Sequence, residues 1–366
     1  MIKVNVPIFL MLGGLLCSCA EPEVPEQSPA YESTVFSGSG ADLPKISRQE
    51  LLAAADSLPR LSSFMLYQSG EVLAERYDDR MNRNQFINIK SASKSVLSAL
   101  TGIALEQGYI NSPDDAVSDY LPQYFESLSN SRKQDITIRH LLTMSSGLES
   151  TSFRNYGRWV ATRDWTAAAL NGELLHPPGS RMRYSTGDTH ILSAVLTEAS
   201  GMSTRALAER YLFEPLGVSV GGWDRAPEGY FFGGNNIALT PKGLLRFGQL
   251  YLNAGRYNGR QILPESWVHA SLNPSFYNIS FNARGHNYGF LWWGNVFSKH
   301  KAYFAWGYGG QYVFMIPELD AVAVFTANPD ARQRGFNDMI YDIIDDAVVP
   351  YLYHRQQEAE APVTAG

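Results

Sequence analysis

The chain has 366 residues, is 45% hydrophobic and 18% charged, and carries a formal net charge of -6. That is a globular composition with enough apolar residues for a large core, in one two-lobed domain or in two or three domains. No basic run or basic aromatic patch occurs, which argues against nucleic acid as a partner.

The chain opens with a leader. Lys3 supplies a short positive region, Val4 to Leu16 are mostly apolar, and small residues follow, so residues 1–18 read as a signal peptide too short to span a membrane. Leu16-Cys17-Ser18-Cys19 resembles a bacterial lipobox, which makes Cys19 the acylated first residue of the mature chain. Cleavage near Cys19 or Ala20 without lipid is the alternative. The expectation is an exported cell-envelope protein, lipid-anchored to a membrane on its periplasmic or outer face. Cys17 and Cys19 are the only two cysteines, so the folded part has no disulfide, thiolate nucleophile or cysteine metal site. Residues 19–45 are rich in Pro, Glu, Ser and Gly and read as a flexible tether.

Order begins at Ser47, where Ser47 and Glu50 form a capping box ahead of an apolar helix. "SFMLYQSGEVLAERY" reads as a hairpin turning at Ser69-Gly70. The helix that contains Ser91 follows. Residues 110–260 show mainly helical patterns: one from a Thr137 cap to near Gly147, one from an Asp188 or Thr189 cap to Gly201, and one from Thr240 with Pro241 at its first position to Gly255. The last third returns to strands in "YGFLWWGNV", "KAYFAWGYGGQYVFMIPE" and "DAVAVFTAN". "GFNDMIYDIIDDAVVPYLY" is a closing helix, and residues 355–366 read as a disordered tail. Two strand groups far apart in sequence most easily share one antiparallel sheet. The predicted fold is therefore α+β: a sheet lobe of about 46–90 and 261–354 flanked by terminal helices, and an inserted helical lobe of about 91–260. A cleft between lobes is a natural site.

"KSASKSVLSAL" sets Ser91 three residues before Lys94, at the head of an apolar stripe of Val96, Leu97, Leu100 and Ile103. One helical turn apart, the two share a face, and the helix N-terminus favours a developing oxyanion. A serine needs a base, and a lysine acts as one only when desolvated or set near other cations. The alternative is a helix cap with a solvated lysine. The same spacing at Ser298-Lys299-His300-Lys301 lies in a polar turn with no helix behind it.

Two further stretches, Tyr184-Ser185-Thr186 and Tyr308-Gly309-Gly310, complete a pattern with "SASK". Together they resemble the serine β-lactamase and penicillin-binding-protein superfamily, in its class C-like branch of esterases, D-aminopeptidases and 6-aminohexanoate-dimer hydrolases. The resemblance covers roughly residues 50–350 and includes "ITIRHLLTMSSGL", "LTPKGLLRFGQLYLNAGRYNGRQILPESWV" and "GYGGQYVFMIPELDAVAVF" in the family's order. It implies a β-lactamase/transpeptidase-like fold and an acyl-enzyme on Ser91, with Lys94 as base and Tyr184 relaying a proton. It also implies an oxyanion hole from the backbone N–H groups of Ser91 and Gln311, and substrate contacts from Tyr308, Gly309, Gly310 and Ser185. No cofactor is required.

Thr186 stands where true β-lactamases have asparagine, and Tyr308 where they have a lysine that meets a substrate carboxylate. Met144 stands where relatives often have histidine. These departures argue against efficient β-lactam hydrolysis and favour a 6-aminohexanoate-dimer hydrolase-like enzyme acting on a small amide or ester. A short-chain carboxylesterase and a catalytically silent envelope protein that binds peptides are the rivals. No Gly-x-Ser-x-Gly elbow and no HExxH occurs, so neither an α/β-hydrolase nor a zinc site is expected. His190 reads as a cap or core residue because the sequence shows no acid partnered with it. Asp188 reads first as a cap and second as a pocket acid. Tyr251-Leu252-Asn253 reads as core and helix exit. Trp292, Trp293, Trp306 and Tyr308 are either core or the lining of an apolar acyl pocket. The sequence leaves the oligomeric state open.

Overall fold

The computed structural model describes residues 43–360, except 80, 127, 129, 281–283 and 331–333. The leader, Cys19 and nearly all of the tether lie outside the described residues. Ser47 and Glu50 make the capping box, and helix α1 runs Arg48–Asp56. Strands β1 (Leu61–Gln68) and β2 (Glu71–Tyr77) form the hairpin. Its turn residues Ser69 and Gly70 both take positive φ, 46° and 92°, as a two-residue turn requires if it is to follow the strand twist.

Short strands β3 (Ile87–Asn88), β4 (Gly222–Trp223) and β5 (Ile237–Leu239) form one small ladder, and β6 (Arg256–Tyr257) and β7 (Arg260–Gln261) another. The last strands are β8 (Phe276–Ser280), β9 (Gly285–Tyr288), β10 (Trp293–Phe297), β11 (His300–Gly307), β12 (Gln311–Ile316) and β13 (Ala321–Ala327). The main sheet is antiparallel throughout and ordered β2-β1-β13-β12-β11-β10-β9-β8. The N-terminal hairpin thus completes a sheet begun by the C-terminal strands. β12 and β13 are buried along their whole length, as strands covered on both faces must be. Where a polar pair falls in that interior it is satisfied: Ser63 Oγ lies 2.6 Å from Thr326 Oγ1 across β1 and β13.

Helix α2 (Ser93–Glu106) is buried at every residue from Ser93 to Ala104, so it is a central helix rather than the one-sided stripe read in the sequence. Its hydroxyls are used inside the core, Ser95 Oγ donating to Leu291 O at 2.7 Å and Thr101 Oγ1 to Leu97 O at 2.8 Å.

Several boundaries differ from expectation. The helix capped by Thr137 ends at Leu142, because Met144 at φ 56° turns the chain away. The helix expected from Asp188 or Thr189 starts at Thr186 with Ser185 as its cap. "YGFLWWGNV" is two strands broken at Leu291, φ 62°, whose N–H donates to Leu142 O at 2.9 Å. The closing helix is Phe336–Ile343, a π-turn Ile344–Val348 and Val349–Glu360, so the irregular tail does not begin at 355. Among the described residues no helix is long and apolar enough to cross a membrane.

Candidate active site

Ser91 lies in a short 3₁₀ turn, Lys90–Ala92, that leads directly into α2. The turn is pinned on both sides. Ser93 Oγ donates to Lys90 O at 2.6 Å, and Ile89 N–H donates to Ile237 O at 2.9 Å. It rests on the sheet at Gly307, where an added Cβ would lie 2.2 Å from Ile89 O. Only glycine admits that approach.

One turn into the helix, Lys94 is 2% exposed. Its Nζ lies 3.4 Å from Ser91 Oγ, 3.3 Å from Thr186 Oγ1 and 2.7 Å from Gly234 O. Burial disfavours the ammonium and brings the Lys94 pKa down to about 7, against the opposing pull of Asp188. The Tyr184 ring centroid is 5.0 Å from that nitrogen. The ring is stacked on Trp293 at 6.1 Å and tilted against Phe153 at 6.0 Å. Burial raises the Tyr184 pKa well above the usual phenol value, while a hydrogen bond with the Ser91 side chain lowers it in part. Tyr184 is therefore a neutral hydroxyl in contact with Ser91 rather than a phenolate.

Asp188 is buried in the first turn of the next helix. Burial pushes its carboxyl up to about 7, opposed by hydrogen bonds from Ser146 and Ser185 and by the charge of Lys94. The niche thus holds an amine and a carboxyl that both disfavour charge. Such paired shifts in one pocket mark functional sites. Among the described residues no cluster of His, Cys, Asp and Glu could hold a metal ion.

Residues 61–347 match the Beta-lactamase family. The chain belongs to that family. The 6-aminohexanoate-dimer hydrolase of Paenarthrobacter ureafaciens is 22% identical over 364 residues, covering 92% of this chain and 89% of its own. Esterase EstB of Burkholderia gladioli is 25% identical over 186 residues, 47% of each chain. Among solved structures, the octameric penicillin-binding protein homologue from Pyrococcus abyssi superimposes with a TM-score of 0.64 at 16% identity, covering 84% of this chain and 79% of that one. EstCE1, a hydrolase with promiscuous acyltransferase activity, gives 0.62 at 18% identity, with 81% and 97% covered. These last two likenesses establish the fold. With its hydrolase relatives, the chain is a serine hydrolase of the β-lactamase/transpeptidase-like fold.

In this Beta-lactamase-family hydrolase Ser91, Lys94 and Tyr184 come together, but other expected site residues lie elsewhere. Gln311 opens β12 and is paired with Gly307, and its side-chain Nε2 donates to Ala327 O at 2.7 Å. On an inner strand the backbone N–H lies in the sheet plane, toward β11 or β13, so Gln311 does not present it to Ser91. The strand position of Gln311 therefore favours the neighbouring turn as the place of the second oxyanion donor. β10 pairs with β11 only as far as Trp293↔Phe304, so β11 runs on past it to Gly307, where it bears on the Ser91 turn, and Tyr308 opens the turn that follows. Ser185 lies beneath the surface of the site. It is 2% exposed and bonds Asp188 and the Thr151 N–H, the latter at 3.4 Å, so its hydroxyl is engaged within the loop. Gly309 and Gly310 pack against Pro329 and Phe336, and Tyr308 is 65% exposed. Trp292 is core, stacked on Phe247 at 5.8 Å, whereas Trp293 backs Tyr184. Ser298 sits in the β10–β11 turn, bound to Asp345, and Tyr251 is buried in its helix, so neither decoy is part of the site.

Gly234 and Glu228 were missed, and Thr186 was read only as a departure from the family motif. Gly234 and Thr186 hold Lys94, and Glu228 pairs with His190, Oε1 to Nε2 at 2.8 Å. No spacing rule links residues 38 or 140 positions apart; the "GDTH" histidine was the only available signal.

Proposed function

We propose that this protein hydrolyses a small amide by acyl transfer, in the manner of the 6-aminohexanoate-dimer hydrolase it resembles. The observation that carries this reading is Lys94 Nζ, desolvated and 3.4 Å from Ser91 Oγ, with the Tyr184 hydroxyl bonded to the same serine. Lys94, as the neutral amine, takes the Ser91 proton while Oγ attacks the carbonyl. The oxyanion is held by the Ser91 N–H and by the Tyr308 N–H just beyond the end of β11. Tyr184, a neutral phenol, hands a proton to the leaving amine and is reprotonated by the Lys94 ammonium, which holds the proton taken from Ser91. Water then attacks the acyl-enzyme by the reverse route.

An ester substrate is the second reading. It is favoured by the likeness to esterase EstB and by the exposed rings of Phe153 and Tyr308, 66% and 65% exposed. A matched pair of substrates with one acyl group, an anilide and a p-nitrophenyl ester, separates the two. Export and anchoring through Cys19 form part of the proposal, supported by the leader and the Leu16–Cys19 stretch alone. Release of the protein from membranes by Cys19→Ala tests that part. The catalytic part is tested with a fluorophosphonate probe. The wild type should be labelled on Ser91 and Ser91→Ala should not. Equal labelling of both would reject the scheme, and no labelling of either would favour a silent binding protein.

A further inference from the structure

Beneath the serine, residues 233–237 form a strap between His190 and the Ser91 turn. At one end, Gly233 N–H donates to His190 Nδ1 at 3.3 Å, and Gly233 O accepts from Thr189 Oγ1 at 3.1 Å. In the middle, Gly234 O accepts from Lys94 Nζ at 2.7 Å. At the other end, Ile237 N–H donates to Ser93 Oγ at 3.3 Å, and Ile237 O accepts from Ile89 N–H. The strap has no slack. An added Cβ on Gly234 would lie 2.6 Å from Lys94 Cγ and 2.3 Å from Thr189 Oγ1.

His190 is fully buried. Because Nδ1 accepts from Gly233, the ring proton sits on Nε2 and is donated to Glu228 Oε1 at 2.8 Å. The same oxygen accepts from Thr166 N–H at 2.9 Å and Thr166 Oγ1 at 3.0 Å. Trp159, Trp165 and Phe232 wall the imidazole with ring centroids at 5.8, 5.5 and 6.0 Å. Burial raises the Glu228 pKa, but hydrogen bonds from His190 and the surrounding backbone outweigh it and leave the carboxyl at about 2, ionised. Replacing a buried pair of this kind by apolar residues of like volume is often neutral or stabilising, so packing alone gives no reason for it. A ring bonded at both nitrogens inside an aromatic cage is held in one orientation, and it transmits that orientation to Gly233.

We propose that His190 and Glu228 are positioning residues for the reaction: they fix the strap so that the Gly234 carbonyl takes one N–H of Lys94 and leaves the amine lone pair aimed at Ser91. The inference rests on the reading of Lys94 as the base. A neutral amine has two N–H bonds and one lone pair. Gly234 O and Thr186 Oγ1 accept the two, and the lone pair remains for the Ser91 hydroxyl. If the strap loosens, the amine rotates and water enters the niche.

The experiment compares His190→Phe, His190→Gln and Glu228→Leu with the wild type on the ester and anilide substrates, with Ser91→Ala as control. Folding is followed by circular dichroism and Tm. A folded His190→Phe should lose about 30-fold or more in kcat with KM nearly unchanged, the scale of a misplacement near 1 Å. Its acid limb should also move to higher pH, because water reaching Lys94 favours the ammonium. The other groups facing Lys94 are Asp188 and the hydroxyls of Ser91, Tyr184 and Thr186, and none of them is altered. His190 faces Glu228 and Thr166. Glutamine at 190 can accept from Gly233 and donate to Glu228, so His190→Gln should recover most of kcat. A folded His190→Phe with wild-type kcat and an unmoved acid limb would overturn the inference. If His190→Phe does not fold, Glu228→Leu, which removes the acceptor for His190 Nε2–H, decides: a kcat lowered at constant KM supports the inference, and an unchanged kcat overturns it. Activity retained by Ser91→Ala would sink the reading of the site. An inert Ser91→Ala beside unaffected dyad variants would sink only the dyad.

Discussion

Lys94 Nζ lies closer to the carbonyl oxygen of Gly234, at 2.7 Å, than to the hydroxyl of Ser91, at 3.4 Å. The shorter contact holds the amine, and the longer one is where chemistry is proposed. A carbonyl can only accept, so it fixes where an N–H points whether the nitrogen is charged or neutral. The protonation state is then set by burial, which brings the Lys94 pKa down to about 7. The active form is the neutral amine. Activity should therefore be full above that value and fall as pH drops through it. A log(kcat/KM) profile with a slope near one below about pH 7 is the expected outcome. An acid limb near pH 4 would place a carboxylate in the role of base.

Tyr184 touches Ser91 and carries a phenol whose pKa burial raises. Removing only its hydroxyl leaves the stacking on Trp293 intact. Tyr184→Phe should therefore fold with an unchanged Tm, keep KM, and lose about 10²–10³ in kcat, the usual share of a proton relay. Anilides, whose leaving amine needs the proton, should suffer more than p-nitrophenyl esters. Equal losses on both substrates would assign Tyr184 to orientation alone.

Asp188 faces the same niche with a carboxyl raised from 3.8 to about 7. A group whose folded pKa lies above its unfolded value contributes stability that is complete below the unfolded value and is lost as pH rises through the folded one. Asp188 thus works against the fold above about pH 7, where it must ionise in a buried place. Asp188→Asn keeps the acceptor for Ser146 and cannot ionise. It should be more stable than the wild type at pH 8 and no more stable at pH 3.5. Its charge also raises the Lys94 pKa, so the same variant should shift the acid limb of kcat/KM to lower pH. Urea melts at the two pH values and one pH–rate profile check both effects.

The fold was legible where local rules decide. The Ser47–Glu50 box, the Ser69-Gly70 turn and the Thr240-Pro241 helix start each depend on neighbours within about four residues. The joining of the hairpin to the last strands followed from burial, since neither group makes a covered sheet alone. Of the site, Ser91 and Lys94 could be read because a helix fixes their spacing, and Tyr184 because of its family motif. Gly234, Thr186 and Glu228 reach their partners through tertiary packing that no period encodes. The place of Gln311 depends on register. The three residues after Gly307 are the turn, so Gln311 already belongs to an inner strand. The helix expected at Asp188 starts earlier because Thr151 Oγ1 and Ser152 Oγ, from a distant loop, accept the first N–H groups of Gly187 and Thr186, at 2.7 and 2.9 Å.

Gly307 joins the two halves of the proposed site. On one side it continues β11 toward Tyr308, whose N–H is the proposed oxyanion donor. On the other it bears on the Ser91 turn, with an added Cβ falling 2.2 Å from Ile89 O and 3.2 Å from Ala92 N. Neither atom belongs to a flexible side chain, so the strand and the turn must part. Gly307→Ala should cost about 1–3 kcal/mol of stability, as overpacking does. It should also slow acylation well beyond what that loss explains, because the nucleophile and the oxyanion donor move apart together. The measurement is the single-turnover rate of Ser91 labelling by a fluorophosphonate, taken well below the Tm of the variant. A labelling rate equal to that of the wild type would show that the turn and the strand are not coupled in the reaction.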